Sequence, residues 1–274
     1  MRHMIPIKSE REVEGVRRSC VLAANLLCEV ASKIEPGRSI REIDEYAGVR
    51  MKACGARSPF LGYKGFPGNT CISINEEVVH GTPRDRKVQY GDMVSLDLGV
   101  IFEGWVGDTA MTVAVGLVEG ENRRLMEVTE QALYLAIDKA RLGNRLSDVS
   151  HAVESFVVAN GFSVVREFVG HGIGRTLHEE PQIPNFGPPG KGPKLKTGMT
   201  LAIEPMVNQG TSKVEILGDG WTVVTVDGKP SAHFEHTVLI TRDAPEILTI
   251  PEGRAGEVAR KLKEAQQIEK QIAA

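Results

Sequence analysis

Apolar residues recur at helical spacing in four stretches of the chain. From Ser9 to about Lys33, Val13, Val16, Cys20, Ala23, Leu27 and Val30 form one stripe. Ser9 and Glu12 have the spacing of a capping box, and Pro36-Gly37 stops the run. A second helix starts at Ser39, with a matching glutamate at Glu42, and ends near Gly55. The segments Asn122 to about Arg141 and Leu146 to Asn160 read as two more, ended before Gly143 and at Gly161.

The pattern repeats. Gly37 to Gly55 and Gly143 to Gly161 each span eighteen residues, and Ile40 and Ile43 are matched by Leu146 and Val149 at an offset of 106 (146 − 40). GDMVSLDLG (91–99) aligns on GMTLAIEP (198–205) at an offset of 107 (198 − 91), which pairs Gly91 with Gly198 and Asp97 with Glu204. Asp108 matches Glu235 once the second half is allowed about twenty further residues, and LGDGWTVVTVDGKPSAH (217–233) supplies a hairpin of that kind. The expectation is an α+β domain over 7–250, built of two similar halves (about 34–118 and 140–242) around a pseudo-twofold axis. A helical tail over 251–274 carries a narrow stripe of Val258, Leu262, Ala265, Ile268 and Ile272. It would dock on the domain, pair with another chain, or stay solvated.

Composition narrows the function classes. With 274 residues, 41% of them hydrophobic, the chain can bury a sizeable core. A net charge of -3 argues against nucleic acid as the main ligand. No stretch has the uncharged apolar length that spans a bilayer. The start, MRHMIPIKSER, lacks the apolar core of a secretion signal, so a cytoplasmic protein is expected. Cys20, Cys28, Cys54 and Cys71 show no CxxC spacing and read as reduced thiols, three of them buried in helices.

The informative residues are Asp97 in SLDLG, Asp108 in VGDTA, His171 in GHGIG, Glu204 in IEPM and Glu235 in FEHT. A lone acid in a strand is usually an edge or turn residue. Four carboxylates and a histidine, most of them in apolar or glycine-rich runs, are better explained by a shared cation, which removes the cost of gathering like charges. Asp97 and Asp108 flank a tight turn around Phe102-Glu103-Gly104. Direct cross-strand pairing would put both side chains on one face, with Cβ atoms about 5 Å apart. The hard, oxygen-rich set suits Mn²⁺, Fe²⁺ or Co²⁺. By composition alone His80 in VVHGTP is a turn histidine and His178 in LHEEP a loop one. His151 and His233 read as surface or packing residues, and His3 as part of a flexible terminus.

Together CISINEEVVHG (71–81), LDLG with GDTA, GHGIGRTLHEEP (170–181), IEPM and FEHT resemble the type I methionine aminopeptidases of the pita-bread fold. The resemblance runs from about Ile7 to Thr249 and fills all five acid and histidine positions. It implies two divalent ions held by Asp97, Asp108, His171, Glu204 and Glu235, with Asp108 and Glu235 bridging them. It further implies Glu204 as general base, His80 at the scissile amide nitrogen, His178 at the carbonyl oxygen, and excision of the amino-terminal methionine before a small second residue. YKGFPGNTC (63–71) matches the loop lining the methionine pocket, which points to Tyr63, Phe66 and Cys71, with Met206 and Trp221 closing it. Phe66 stands where tyrosine is frequent and Leu177 where phenylalanine is, so an altered pocket shape is expected. The resemblance also implies a compact bacterial-type enzyme without an amino-terminal zinc-binding domain, acting as a monomer on nascent polypeptides with transient ribosome contact. Two rivals share the fold: a proline-selective aminopeptidase or prolidase, and a binding module that has lost catalysis. The first usually carries a large amino-terminal domain; the second typically lacks metal ligands.

Overall fold

The structure, a computed structural model, describes residues 4–272; His3 and the side chain of Ile272 lie outside the described residues. Helices α1 (Glu10–Ala31) and α2 (Ile40–Ala53) open the first half. The Glu12 carboxylate accepts the Ser9 N–H at 3.0 Å, and Glu42 accepts that of Ser39 at 2.7 Å, so both expected capping glutamates are engaged. Strands β1 (Cys71–Ile74), β2 (Glu77–Val79), β3 (Met93–Phe102) and β4 (Trp105–Ala114) follow. β3 lies between β1 and β4, and α1 and α2 cover this sheet through Leu27, Val30, Ile40, Ile43, Leu96 and Leu98.

The β3–β4 turn corrects one expectation. Only Glu103 and Gly104 form it, with φ of 50° and 79°, and Phe102 faces Trp105. Positive φ at both central positions matches the right-handed twist of the flanking strands. In this register Asp97 opposes Ala110 and Asp108 opposes Gly99, so the two aspartates are diagonal neighbours rather than a direct pair. A slip of two positions preserves the face, because side chains alternate with period two.

The second half opens with α3 (Gly120–Lys139) and α4 (Leu146–Ala159). α2 and α4 each have 14 residues and start 106 positions apart (146 − 40). α3 begins and ends two residues earlier than its pattern suggested, because Ala140 already leaves helical geometry at ψ 51°. The strands are β5 (Ser163–Val164), β6 (Gly170–Gly172), β7 (Glu179–Ile183), β8 (Thr200–Ile203), β9 (Met206–Asn208), β10 (Val214–Ile216), β11 (Val223–Thr225), β12 (Ser231–His233), β13 (His236–Leu239) and β14 (Glu246–Ile247). One sheet runs β14-β13-β8-β6-β7, and β9 sits between β12 and β5. The additional hairpin β10–β11 pairs with β2 of the first half.

The halves meet at the acids. The Glu235 N–H donates to the Ala110 carbonyl at 2.9 Å, Thr109 Oγ1 donates to the Glu235 carbonyl at 2.9 Å, and Thr237 Oγ1 to the Asp108 carbonyl at 2.8 Å. Helix α5 (Ala255–Ile272) docks on α3, with Val258 and Ala265 buried and Lys261 Nζ 2.5 Å from Glu130 Oε1. Among the described residues no helix is long and apolar enough to cross a membrane. The cysteines are free, but Cys28 and Cys54 are only half-buried: Cys28 lies on α1 beside the buried stripe, and Cys54 is the C-cap of α2 rather than part of its buried face.

Candidate metal centre and substrate slot

One cavity of about 800 Å³ is lined by Asp97, Asp108, His171, Glu204 and Glu235 together with His80, His178 and an aromatic wall. Each of the five comes from a different strand or strand end. β6 carries His171 between two glycines that its neighbours require: a Cβ at Gly170 would meet the Ala202 carbonyl oxygen at 2.4 Å, and one at Gly172 the Glu180 oxygen at 2.1 Å. Without side chains there, β6 slots between β7 and β8 and presents the imidazole inward. Glu204 follows β8 directly, at the break that Pro205 makes in the ladder. Glu235 lies between β12 and β13.

Asp108, His171 and Glu235 are buried, and each offers a ligand atom within 4.8 Å of the others. His171 Nε2 lies 3.5 Å from Glu204 Oε1 and 3.9 Å from Asp108 Oδ2. Its Nδ1 is 2.9 Å from the Gly172 carbonyl, an acceptor only, so Nδ1 carries the proton and Nε2 keeps its lone pair toward the acids. Asp97 Oδ1, Asp108 Oδ1 and Glu235 Oε1 are buried with no hydrogen-bond partner. Buried acceptors in that state are costly.

The electrostatics agree. Desolvation, then neighbouring carboxylates, push Asp97, Glu204 and Glu235 well above the usual carboxylate range. Desolvation holds Asp108 up at about 7 against bonds to Thr109 and Asp97 that lower it. Four acids and one lone-pair nitrogen, partly unpaired and mutually repelling, fit a hard divalent cation. Desolvation also drives His171 down to about 3 and His80 to about 4, and lowers His178, so these rings are neutral near pH 7.

The opposite wall is the slot. Phe60, Phe66, Cys71 and Leu177 form a buried cluster against which Trp221 packs, with Phe66 and Trp221 edge to face at 5.2 Å. Met206 belongs to a second cluster, with Val79 and Phe168. Tyr63 Oη lies 3.0 Å from His178 Nδ1, and the His80 ring meets Phe168 edge-on at 5.2 Å. Burial raises the Cys71 thiol well above its usual range, which leaves it an apolar lining group rather than a nucleophile.

Two aspartates hold this wall. Asp44 accepts the Thr70 N–H and hydroxyl, both at 2.8 Å, and Asn69 Nδ2 at 3.0 Å. Asp219 accepts the N–H groups of Trp221 and Thr222 at 2.9 Å, the Thr222 hydroxyl at 2.6 Å and the Thr82 hydroxyl at 3.1 Å. His80 sits in left-handed backbone at φ 60°, costly for a non-glycine residue and commoner at functional sites.

Every residue the sequence proposed for the site lines this cavity; His151 lies elsewhere, exposed on α4. Sequence reasoning passed over Phe60 and Phe168. His233, expected on the surface or in packing, is packed at 2% exposed, and its Nε2 lies 3.8 Å from Glu204 Oε2, a proximity the sequence reading did not name. The available signal was spacing, since His233 precedes Glu235 by two positions in extended chain and so shares its face.

Fold and site together define a metallopeptidase. The chain belongs to metallopeptidase family M24, whose model matches residues 14–242, and it has the pita-bread fold. Within that family it stands with proteins named methionine aminopeptidase. Methionine aminopeptidase 1 of Bacillus subtilis is 50% identical over 246 residues, which cover 90% of this chain and 99% of the relative. The crystal structure of methionine aminopeptidase from Rickettsia prowazekii superposes with a TM-score of 0.89 at 39% identity, covering 90% of this chain and 100% of that one. The corresponding values for the Thermotoga maritima enzyme are 0.88, 46%, 90% and 99%.

Proposed function

We propose that this chain is a methionine aminopeptidase that removes amino-terminal methionine from nascent polypeptides when the second residue is small. The observation that carries the reading is one cavity with two walls: four crowded carboxylates and a lone-pair imidazole on one side, an aromatic slot on the other. The catalytic domain is 7–250, with halves at about 34–118 and 140–242, and 251–274 is an accessory tail. Asp97, Asp108, His171, Glu204 and Glu235 would hold two divalent ions, Fe²⁺, Mn²⁺ or Co²⁺. Bound there, the ions would supply Lewis-acid polarisation of the scissile carbonyl and an acidified water at neutral pH.

The side chains do the rest. Glu204 takes a proton from the attacking water and passes it to the leaving amine. Tyr63 donates its hydroxyl proton to His178 Nδ1, which leaves the His178 Nε2–H free to donate to the carbonyl oxygen. His80, neutral and fixed against Phe168, faces the scissile nitrogen. Tyr63, Phe66, Cys71, Met206 and Trp221 grip the methionine side chain, whose polarizable thioether packs well against aromatic edges. The enzyme acts as a cytoplasmic monomer, in transient contact with the ribosome.

A peptide panel tests the proposal. Met-Ala-Ser should be cleaved with added Mn²⁺, Fe²⁺ or Co²⁺ under anaerobic conditions, norleucine-Ala-Ser tolerated, and Ala-Ala-Ser and Met-Lys-Ser rejected. Efficient cleavage of either of the last two would overturn the slot assignment. Preference for Ala-Pro peptides would make the chain a proline-selective enzyme, and no turnover with any metal a binding module.

A further inference from the structure

His233 is a buried imidazole beside the acids with no assigned task. It ends β12, opposite Met206 of β9, and its Nε2 is buried without a hydrogen-bond partner. Its backbone is clamped from β4: the His233 N–H donates to Thr112 Oγ1 at 2.9 Å, and that hydroxyl donates to the His233 carbonyl at 2.9 Å. Ser95 Oγ lies 2.8 Å from the same hydroxyl and fixes it in turn. The ring therefore has little freedom beyond its own torsions, and it points at Glu204.

Glu204 lies between two imidazoles, one at each oxygen. His171 Nε2 is 3.5 Å from Oε1, and His233 Nε2 is 3.8 Å from Oε2. His171 uses its ring proton on the Gly172 carbonyl, so it has none to give Glu204. His233 Nε2 has no competing partner, which leaves it free to face Glu204 as a donor. We infer that His233 is a positioning residue for Glu204, donating its Nε2–H to Oε2 and so holding Oε1 toward Asp108, His171 and Glu235. A movement of about 1 Å brings the pair to ordinary N–H···O length. Partners of this kind orient the groups that act in a metal site, and losing one typically costs 10–100-fold. The inference rests on the reading of Glu204 as the general base.

Two His233 variants and one spectrum, read also in Glu204→Gln, test it. His233→Ala should lower kcat by about 10–100-fold with KM nearly unchanged. The Mn²⁺ stoichiometry, measured by calorimetry, should not change. His233→Gln carries an N–H donor at similar reach and should recover most of the loss. In metal-free wild-type protein labelled with ¹⁵N-histidine, one slowly exchanging Nε2–H should vanish in His233→Gln and shift in Glu204→Gln. The inference is overturned by wild-type kcat in His233→Ala, by a glutamine no better than alanine, or by no protected Nε2–H. Loss of a whole Mn²⁺ equivalent would also overturn it, making His233 a ligand. If His233→Ala does not fold, the glutamine variant and the spectrum decide. If wild-type protein cleaves no methionine peptide, the base reading falls, while the spectrum still reports the hydrogen bond.

Discussion

The two walls of the cavity use their carboxylates in opposite ways. On the strand wall, Asp97, Asp108 and Glu235 each keep a buried oxygen without a partner, and all four acids are pushed upward, Asp108 to about 7. On the loop wall, Asp219 loses some solvation, which would raise it, yet four accepted hydrogen bonds outweigh this and hold it at about 2. Acids with unpaired oxygens, gathered on strands and strand ends, wait for a cation; Asp219, satisfied in its loop, acts as a clamp. Direction of shift, joined to partner count, separates functional carboxylates from structural ones here.

The contrast can be broken hardest at the strand wall. Removing divalent metal with a chelator should abolish turnover, and Mn²⁺ should restore it; full activity in protein that elemental analysis shows to be metal-free would refute the account. Glu204→Gln keeps the shape but cannot accept the proton, so kcat should fall by about 10²–10⁴-fold with circular dichroism unchanged. A near-wild-type kcat in metal-replete variant would remove Glu204 from the base role.

His80→Ala and His178→Ala probe the border between the walls. Each should retain full metal content and lose a transition-state contact, a deficit of about 2.7–4 kcal/mol in kcat. Metal analysis beside kinetics distinguishes this from ligand loss.

Asp219→Asn gives the smallest effect and sharpens the loop side. It should raise KM for methionine peptides several-fold, by loosening Trp221 and the His80 segment, while kcat falls far less than in His80→Ala and metal content holds. Because the folded value of Asp219 is depressed, its clamp contributes above the ordinary carboxylate range near pH 4 and is lost as pH falls toward about 2. Trp221 fluorescence should report that loosening before global unfolding.

The strand wall was legible in the sequence because acids in apolar runs are conspicuous and side-chain parity survives a slip in register. Asp97 and Asp108 share a face as expected, although the two-residue Glu103-Gly104 turn shifts their pairing. The α2 and α4 patterns were readable because glycine stops bound them. The loop wall was less legible: nothing local says that Asp219 reaches Thr82, 137 positions earlier, or that Asp44 holds Thr70, 26 positions later. Tyr63, Phe66 and Trp221 were named through family resemblance, while Phe168 entered the wall unannounced from the run before GHG. His233 escaped because SAH reads as an ordinary buried strand unless its parity with Glu235 is followed.

The central claim, that the strand-wall acids are held apart from stability until a cation joins them, is tested most directly by thermal melts of chelator-treated protein with and without Mn²⁺. The folded values of these acids lie above their unfolded ones. Their contribution in metal-free protein is therefore fully present below about pH 4 and lost as pH rises through about 7. Protons compete with metal for the same oxygens. The Mn²⁺-induced rise in Tm should be small near about pH 5 and much larger near about pH 8. A Tm indifferent to Mn²⁺ at both pH values would contradict the claim.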